Sequence, residues 1–280
     1  MNPYIQSLRL RTLPLSVAGI VLGTGLAGWC NWTVFGLAVA TTLCLQILSN
    51  LSNELGDALK GTDADQQGRE AYGLQAGTIT VRQMKKMIGL FIGLSVLFGS
   101  ALVWVALPLF SLQFFLFILL GALAIIGAMT YTLGKHSYGY IGLGDLGVFL
   151  FFGLLSTLGG YYLQAQTLTA EVIWCGVAIG LPCVGVLNLN NIRDMMHDRE
   201  HKKRTFASLL GPLGAHVYHY GLLLGCLLIF LCLGHYWVAC VTPIWVWHIR
   251  YVGTHTGREL DLQMPVLMFS TLLVAMVGWF

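Results

Sequence analysis

Long apolar segments recur along this chain from one end to the other, and they limit its fold more than any other feature. Segments long enough to cross a bilayer as a helix fall near residues 13–29, 34–53, 87–107, 109–132, 141–163, 172–190, 213–233, 235–251 and 265–280. The third and fourth are separated only around Pro108, and the seventh and eighth only around Gly234. The sequence therefore predicts an all-α, polytopic membrane protein with about nine transmembrane helices.

The amino-acid composition is also typical of a membrane protein. Hydrophobic residues make up 56% of the 280 positions and charged residues only 10%, whereas a soluble domain is about a quarter charged. No polar block is large enough to fold alone, so we expect a single transmembrane domain over residues 1–280. A net charge of +3 with scattered basic residues argues against a nucleic-acid partner, and the seven cysteines include no CxxC pair.

The distribution of basic residues predicts the orientation of the chain. All 15 lysines and arginines fall in the N-terminal segment, or at or beyond the ends of the second, fourth, sixth and eighth predicted spans. Since membrane proteins keep these residues in cytoplasmic loops, we expect the N-terminus inside and the C-terminus outside a bacterial cytoplasmic membrane. Acidic residues share the cytoplasmic side, with Glu171 as the exception, which predicts a polar active site that faces the cytoplasm.

Two polar stretches stand at the cytoplasmic ends of the second and sixth predicted spans. In both, asparagine precedes aspartate by about one helical turn, as Asn53 and Asp57 and as Asn190 and Asp194. Asp198 follows one turn later. Residues four apart lie on one face of a helix, so each stretch predicts a face rich in oxygen ligands. A solvated helix end is the alternative interpretation of either stretch alone, and the repetition argues against it.

Clustered carboxylates repel one another unless a cation is bound. Magnesium prefers hard oxygen ligands and is commonly shared between carboxylates and substrate phosphates. The arginines and lysines beside the second stretch supply the donors that a diphosphate also needs. We therefore expect the two stretches to hold a diphosphate through Mg²⁺.

The two stretches resemble sequence motifs of the UbiA superfamily of intramembrane prenyltransferases. Residues 53–63, Asn-Glu-Leu-Gly-Asp-Ala-Leu-Lys-Gly-Thr-Asp, are similar to the first of its two aspartate-rich motifs. Residues 190–205, which begin Asn-Asn-Ile-Arg-Asp-Met-Met-His-Asp-Arg-Glu, are similar to the second. Residues 9–14 and 131–145 are similar as well, so the resemblance covers the chain up to about residue 211.

The resemblance implies nine helices around a central cavity that opens to the cytoplasmic side and laterally to lipid. It also implies transfer of a polyprenyl group from its diphosphate to 1,4-dihydroxy-2-naphthoate, with release of diphosphate and CO₂. The implied product is demethylmenaquinone, in menaquinone biosynthesis, and the implied cofactor is Mg²⁺. The sequence departs from the family pattern at Glu54, where aspartate is usual, and at Lys202, where glycine is usual.

Individual roles follow from the same resemblance. The implied metal ligands are Asp57, Asp63, Asp194 and Asp198. The implied diphosphate-binding residues are Asn53, Lys60, Arg69, Lys135, Arg193, Arg199 and Lys203. The implied acceptor-binding residues are Arg9, Arg11, Tyr138 and Asn190. The residues expected to act in catalysis itself are Asp57, Asp194, Asp198, Lys135 and Tyr131, whose ring would stabilise an allylic cation.

Several of these residues have a plainer interpretation that stays open. Tyr131, Tyr138 and Tyr140 lie where aromatic belts form at membrane surfaces. Asp145 could cap a helix as well as act in catalysis. We expect the pair His197 and His201 in a surface loop. Structural or interfacial placement is expected for the histidines without metal-ligand spacing, which are His216, His219, His235, His248 and His255.

Two other functions also fit parts of the sequence. The nearest alternative is a UbiA-type aromatic prenyltransferase with another acceptor, such as 4-hydroxybenzoate. A secondary transporter is the rival class, because repeats and polar helix ends also describe transporters. The acidic residues lie at the cytoplasmic ends of the predicted spans instead of mid-membrane, which argues for the enzyme. The sequence predicts neither the prenyl chain length nor the oligomeric state.

Overall fold

The computed structural model describes residues 2–61, 73–135, 137–201, 203–276 and 279. Within these ranges the regular structure is helical and includes no β-strand, which confirms the predicted all-α class. The α-helices are α1 (Pro3–Ser7), α2 (Leu13–Leu26), α3 (Trp32–Lys60), α4 (Val81–Ala106), α5 (Leu112–Thr130), α6 (Gly144–Val148), α7 (Ser156–Ala165), α8 (Ala170–Arg193), α9 (Met195–Glu200), α10 (Phe206–Cys232), α11 (Thr242–Thr254) and α12 (Gln263–Met276). A π-helical segment, Phe149–Leu155, joins α6 to α7.

Seven helical segments in the described part of the chain are long and apolar enough to cross a membrane. They match all of the predicted windows except 13–29 and 235–251. Those two windows contain α2, of 14 residues, and α11, of 13 residues. Helices of this size are only about 20 Å long, shorter than a hydrocarbon core of about 30 Å. The membrane class is confirmed, whereas the predicted number of nine spans is not.

The boundary between α4 and α5 shows how local sequence ends these helices. Pro108 cannot donate a backbone hydrogen bond and disfavours helix at the residue before it, and α4 ends just upstream. The side chain of Ser111 then caps α5 by accepting from the N–H of Phe114. Thr80 and Gln83 form a reciprocal capping box at the start of α4. The two apolar segments therefore form separate helices, as the sequence predicts.

The chain forms two compact units and passes from one to the other after Leu13, after Phe35 within α3, and after Ile141. The first unit comprises Met1–Leu13 and Gly36–Ile141, and the second comprises Pro14–Phe35 and Gly142–Phe280. In the first unit, the buried core is built by Leu48 and Leu51 of α3 against Met84 of α4.

Helix α8 forms the centre of the second unit. Of its most apolar window, 72% is buried, more than for any other membrane-length helix described. It packs on α10, on α12 and on the π-helical segment. Ile179 and Cys183 of α8 share a core with Leu223, Trp245 and Leu267 from the later helices. A helix buried on so many sides fixes the position of whatever side chains stand at its end.

Small residues allow helices of the second unit to approach one another closely. A Cβ at Gly19 of α2 would lie only 2.7 Å from the carbonyl oxygen of Phe152, and one at Gly23 would lie 2.2 Å from that of Thr157. Glycines four residues apart on a membrane helix commonly permit such backbone contact. The nearest atom at Gly23 is a backbone oxygen, which cannot turn aside as a flexible side chain would.

A chain of buried polar side chains also links helices of this unit. The Nε2 atoms of His219 and His248 are 2.9 Å apart, and Nδ1 of His248 is 2.8 Å from Oε1 of Gln263. An amide oxygen only accepts, so His248 donates from Nδ1 and accepts at Nε2 from His219, with both rings neutral. These bonds connect α10, α11 and α12 as interhelical contacts. The structural placement predicted for both histidines is confirmed.

Replacing Gly23 with leucine should therefore destabilise the second unit. We expect Gly23→Leu to cost about 1–3 kcal/mol, as overpacking of a dense interior does, and to lower the melting temperature measured by intrinsic fluorescence in detergent. Gly221→Leu on α10 is the matched control, since a Cβ there meets nothing within 4 Å. Equal melting temperatures for the two variants would contradict the close helix contact.

Candidate active site

The first aspartate motif lies in the last turns of α3. Asp57 is 9% exposed, and its Oδ1 accepts a hydrogen bond of 2.6 Å from the hydroxyl of Tyr140. Lys60, one turn later, donates to the carbonyl oxygen of Thr132 at 2.7 Å and also to the hydroxyl of Ser137. Its Nζ lies 3.7 Å from the centre of the Tyr140 ring, in a cation–π contact. Tyr140 thus holds the carboxylate with its hydroxyl and the ammonium with its ring.

This arrangement requires a close approach between α3 and the chain that follows α5. A Cβ at Gly56 would lie 2.5 Å from Cγ2 of Thr132 and 2.9 Å from its backbone carbonyl carbon. Glycine at position 56 removes that obstruction. The carbonyl of Thr132 is consequently within reach of Lys60.

Glu54, which stands where the family usually has aspartate, has a structural environment of its own. It is fully buried, and its Oε1 accepts from the N–H of Leu74 at 2.9 Å and from the hydroxyl of Ser7 at 3.3 Å. One turn earlier, Asn50 donates to the carbonyl oxygen of Leu8 at 2.9 Å. The longer glutamate side chain therefore ties α3 to both the N-terminal segment and the chain before α4.

The loop after α5 carries three further residues of the predicted site. The rings of Tyr131 and Tyr138 meet edge to face, with centroids 5.2 Å apart. The hydroxyl of Tyr138 donates to the carbonyl oxygen of Gly127 at 3.0 Å, and burial raises the pKa of Tyr138 to about 12. Lys135 is exposed. The structure thus brings Tyr131 and Tyr138 into contact and leaves the Lys135 side chain facing outwards.

Other predicted residues of the first unit are spread more widely. Arg9 adopts the left-handed backbone conformation at φ 50°, and its carbonyl oxygen accepts from the hydroxyl of Thr12 at 2.9 Å. Arg9 is partly buried, Arg11 is exposed and Asn53 is partly buried. The remaining predicted residues before α4, Asp63 and Arg69, lie outside the described residues, as does Asp65.

The second motif begins where α8 ends. We predicted one continuous helical face through Asn190, Asp194 and Asp198, and that continuity is wrong, because α8 stops at Arg193 and α9 starts at Met195. Asp194 forms the junction, with φ −97° and ψ 8°. Helical hydrogen bonds nevertheless persist across it, from the Asp194 N–H to the Asn190 carbonyl oxygen at 3.0 Å and from the Asp198 N–H to that of Asp194 at 2.9 Å.

The junction is held by Arg193, whose side chain is only 7% exposed. Its guanidinium donates through Nε to Oδ1 of Asp194 at 2.8 Å and through Nη2 to Oδ2 of the same carboxylate. Nη1 donates to Oδ1 of Asp261, which precedes α12. Paired bonds of this kind fix both distance and plane. Arg193 therefore orients Asp194 through contacts that the sequence prediction assigned to a diphosphate.

Asp198 lies in α9 and is almost completely buried, at 2% exposed. Lys203 places its Nζ 3.2 Å from Oδ1 of Asp198, and its backbone N–H donates to the Asp198 carbonyl oxygen at 2.8 Å. Burial raises the pKa of the Asp198 carboxyl, the nearby Asp194 carboxylate adds to that effect, and Lys203 opposes both. The site therefore favours additional positive charge beside Asp198.

The second carboxylate oxygen of Asp198 indicates whether the second motif can hold a metal ion. Oδ2 is buried and has no hydrogen-bond partner among the described residues. A buried, ionised oxygen without a partner is costly, and a bound cation would offset that cost. Carboxylate oxygens are the hard ligands that Mg²⁺ prefers. The residues present at the second motif therefore fit magnesium.

Two predicted residues near this motif make local contacts. Arg199 donates through Nη2 to the carbonyl oxygen of Ser208 at 3.1 Å. Asn190 donates to the carbonyl oxygen of Val186 at 3.2 Å, within α8. Both contacts are with backbone oxygens in the second unit.

Asp145 is buried in the first turn of α6, where the N-cap position belongs to Leu143. The capping alternative for Asp145 is therefore wrong. Its Oδ2 is buried and has no hydrogen-bond partner among the described residues.

Sequence reasoning missed Tyr140 and Asp261 as partners of the motif residues. Tyr140 is 83 positions from Asp57, and Asp261 is 68 positions from Arg193. Tyr140 lies in the stretch 131–145 that resembles the family, whereas the sequence signal for Asp261 was its place on the predicted cytoplasmic side, which it shared with most polar residues.

Comparisons with known proteins are consistent with these motifs. The chain is 44% identical to the "1,4-dihydroxy-2-naphthoate octaprenyltransferase" of Escherichia coli (strain K12) over 247 residues, which cover 87% of this chain and 79% of that protein. Among solved structures, an apo UbiA homolog from Aeropyrum pernix K1 has a TM-score of 0.70 at 18% identity, covering 96% of this chain and 99% of the other.

A second solved structure is a UbiA homolog from Archaeoglobus fulgidus bound to GPP and Mg²⁺, with a TM-score of 0.64 at 16% identity over 98% of this chain and 86% of the other. At such identities both structures establish the fold alone. The sequence profile described as "UbiA prenyltransferase family" matches residues 12–273. Since that match includes both aspartate motifs and most of the chain, this protein belongs to the UbiA prenyltransferase family.

Proposed function

We propose that this protein transfers a polyprenyl group from polyprenyl diphosphate to 1,4-dihydroxy-2-naphthoate, releasing diphosphate and CO₂ and forming demethylmenaquinone. The proposal rests chiefly on two carboxylates, the buried Asp57 and the partly buried Asp194, each oriented by a dedicated partner at the end of a membrane-length helix. The 44% identity to a relative named for this acceptor supports the choice of substrate.

We assign metal binding to Asp57, Asp194 and Asp198, with Asp63 outside the described residues as a further candidate. Bound Mg²⁺ would act as a Lewis acid that stabilises negative charge on the departing diphosphate. Tyr140 and Arg193 would hold two of the carboxylates in a fixed orientation before any ligand arrives. Such preorganisation lowers the cost of assembling the charged site.

Basic side chains would share the charge of the diphosphate. Lys135 is exposed and Arg199 lies at the surface of α9, so both can turn towards a ligand. Lys203 would contact a diphosphate while it neutralises Asp198. The same role is proposed for Asn53, Lys60 and Arg69. Arg193 would contribute by holding Asp194, since that is where its donors point.

The acceptor and the allylic group need different surroundings. Loss of diphosphate leaves an allylic cation, which the ring of Tyr131 would stabilise without forming a bond. Tyr138 supports that ring through their edge-to-face contact. The carboxylate of the acceptor needs a cation, for which Arg9 and Arg11 remain our candidates, with Asn190 as a polar contact. The electron-rich acceptor ring then needs positioning more than activation.

We propose a bacterial cytoplasmic membrane as the location, with the N-terminus inside, the C-terminus outside and the aspartate motifs facing the cytoplasm. The asymmetric placement of lysine and arginine supports this orientation. The family match over residues 12–273 includes parts of both units, which supports a single functional domain over residues 1–280.

Removing one motif charge should abolish activity without unfolding the protein. We expect Asp57→Asn or Asp194→Asn to lower prenyl transfer by at least about 100-fold, because fixed electrostatic stabilisation of a developing charge has that magnitude. Asparagine keeps the side-chain shape, so the melting temperature in detergent serves as the folding check. Glu171→Gln, which removes an exposed carboxylate at the other end of α8, is the matched control. Transfer near the wild-type rate in either motif variant would rule out its assigned role.

The acceptor is tested by offering two substrates to the purified protein in parallel. With Mg²⁺ and a polyprenyl diphosphate, 1,4-dihydroxy-2-naphthoate should yield prenylated product and CO₂, and a chelator should stop the reaction. Comparable turnover of 4-hydroxybenzoate would favour the alternative acceptor. Uptake of substrate into liposomes without diphosphate release would instead support a transporter.

A further inference from the structure

Helix α9 carries a second group of possible metal ligands beside the proposed magnesium residues. His197, Glu200 and His201 stand at the i, i+3 and i+4 positions of one helical face. One ligand atom from each residue can be chosen so that all three lie within 4.8 Å of one another. The two imidazole rings are 4.2 Å apart between centroids. The prediction of a loop is wrong for His197, which lies in α9, whereas His201 follows the helix as its C-cap residue. The His201 N–H still donates to the His197 carbonyl oxygen at 3.1 Å, which brings the two histidines together.

A hydrogen bond determines which ring nitrogen of His201 can bind a metal ion. Nδ1 of His201 is 3.1 Å from the carbonyl oxygen of His197. A carbonyl oxygen only accepts, so the Nδ1 atom carries the proton, and a neutral ring then presents its lone pair at Nε2. Histidines that bind metal almost always donate their other ring nitrogen to a carbonyl or carboxylate oxygen in this way. His201 therefore has its Nε2 lone pair available for a metal ion.

The chemistry of these three side chains differs from that of the aspartate motifs. Imidazole nitrogens suit zinc, copper and nickel, whereas magnesium takes oxygen ligands and water. Two histidines four residues apart on a helix form a recurring zinc-binding pattern, and His-x-x-Glu-His is one of its variants. Both histidines are partly exposed and Glu200 is exposed, so an ion in solution can reach them.

We propose that His197, Glu200 and His201 bind a divalent transition-metal ion of the zinc class, with water completing its coordination. This site is distinct from the carboxylates assigned to magnesium and does not depend on the proposed reaction. An ion there joins successive turns of α9, the helix that also carries Asp198. Bound zinc therefore stabilises the helix on which the second motif is built.

A different cluster in the same unit provides the competing location for zinc. Nε2 of His235 lies 3.1 Å from Oε1 of Glu171 and 3.8 Å from Sγ of Cys175. Here a single imidazole nitrogen faces both partners, and Cys175 is fully buried. We favour the α9 cluster because it offers two imidazoles at an accessible surface.

The test is to titrate zinc into the purified full-length protein in detergent, with excess magnesium present. A chromophoric zinc chelator competes with the protein and reports the affinity. Wild-type protein should bind one equivalent, and the double variant His197→Gln/His201→Gln should bind at least about tenfold more weakly. His255→Gln, which removes a histidine stacked on Tyr251, is the control and should bind as wild type does. Zinc should also raise the melting temperature of wild-type protein and leave that of the double variant unchanged.

The zinc-free melting temperature of the double variant shows whether it folds, and His201→Gln alone provides the measurement if it does not. Wild-type affinity in the variant that folds would overturn the proposal. The proposal would also be overturned if Cys175→Ser lost zinc binding while the double variant kept it, because the ion would then lie at the other end of α8. Absence of zinc binding to the wild-type protein would overturn it directly.

Discussion

The cost of placing an ionised group near lipid governs the structure around both aspartate motifs. A carboxylate at the end of a membrane helix loses water, and it is tolerated only when a donor or a cation faces it. Each carboxylate meets that condition with a different partner: Tyr140 for Asp57, Arg193 for Asp194 and Lys203 for Asp198. The partners keep the oxygens fixed while leaving one buried oxygen of Asp198 without a hydrogen bond among the described residues. The second motif is thereby prepared for a cation.

Much of the fold and the motif positions could be predicted from the sequence. Apolar length identified all seven of the membrane-length helices in the described part of the chain, because hydropathy is a local property. Hydropathy also counted 13–29 and 235–251 as spans, where the helices formed are shorter than a bilayer. Helical spacing placed Asp57 correctly within α3. It could not show the break at Asp194, nor that Arg193 bonds both to Asp194 and to a residue 68 positions away.

Histidine shows most clearly what a single sequence leaves open. By residue type alone, the pair His219 and His248 cannot be told from the pair His197 and His201. Their surroundings in the structure nevertheless differ completely. The first pair is buried and neutral, with every donor directed along one chain of hydrogen bonds between helices. The second pair lies on an accessible helix with one ring already held by a carbonyl oxygen. Burial and hydrogen-bond direction separate the two pairs, and both arise from contacts that sequence spacing does not encode.

The central claim is that the carboxylates ending α3 and α8 bind the diphosphate through magnesium. Calorimetry with an unreactive thiodiphosphate analogue of a polyprenyl diphosphate tests it most directly, because binding is then measured apart from chemistry. We predict saturable binding to the wild-type protein in Mg²⁺ that disappears when a chelator replaces the metal. Equal affinity with Mg²⁺ and with chelator would contradict it.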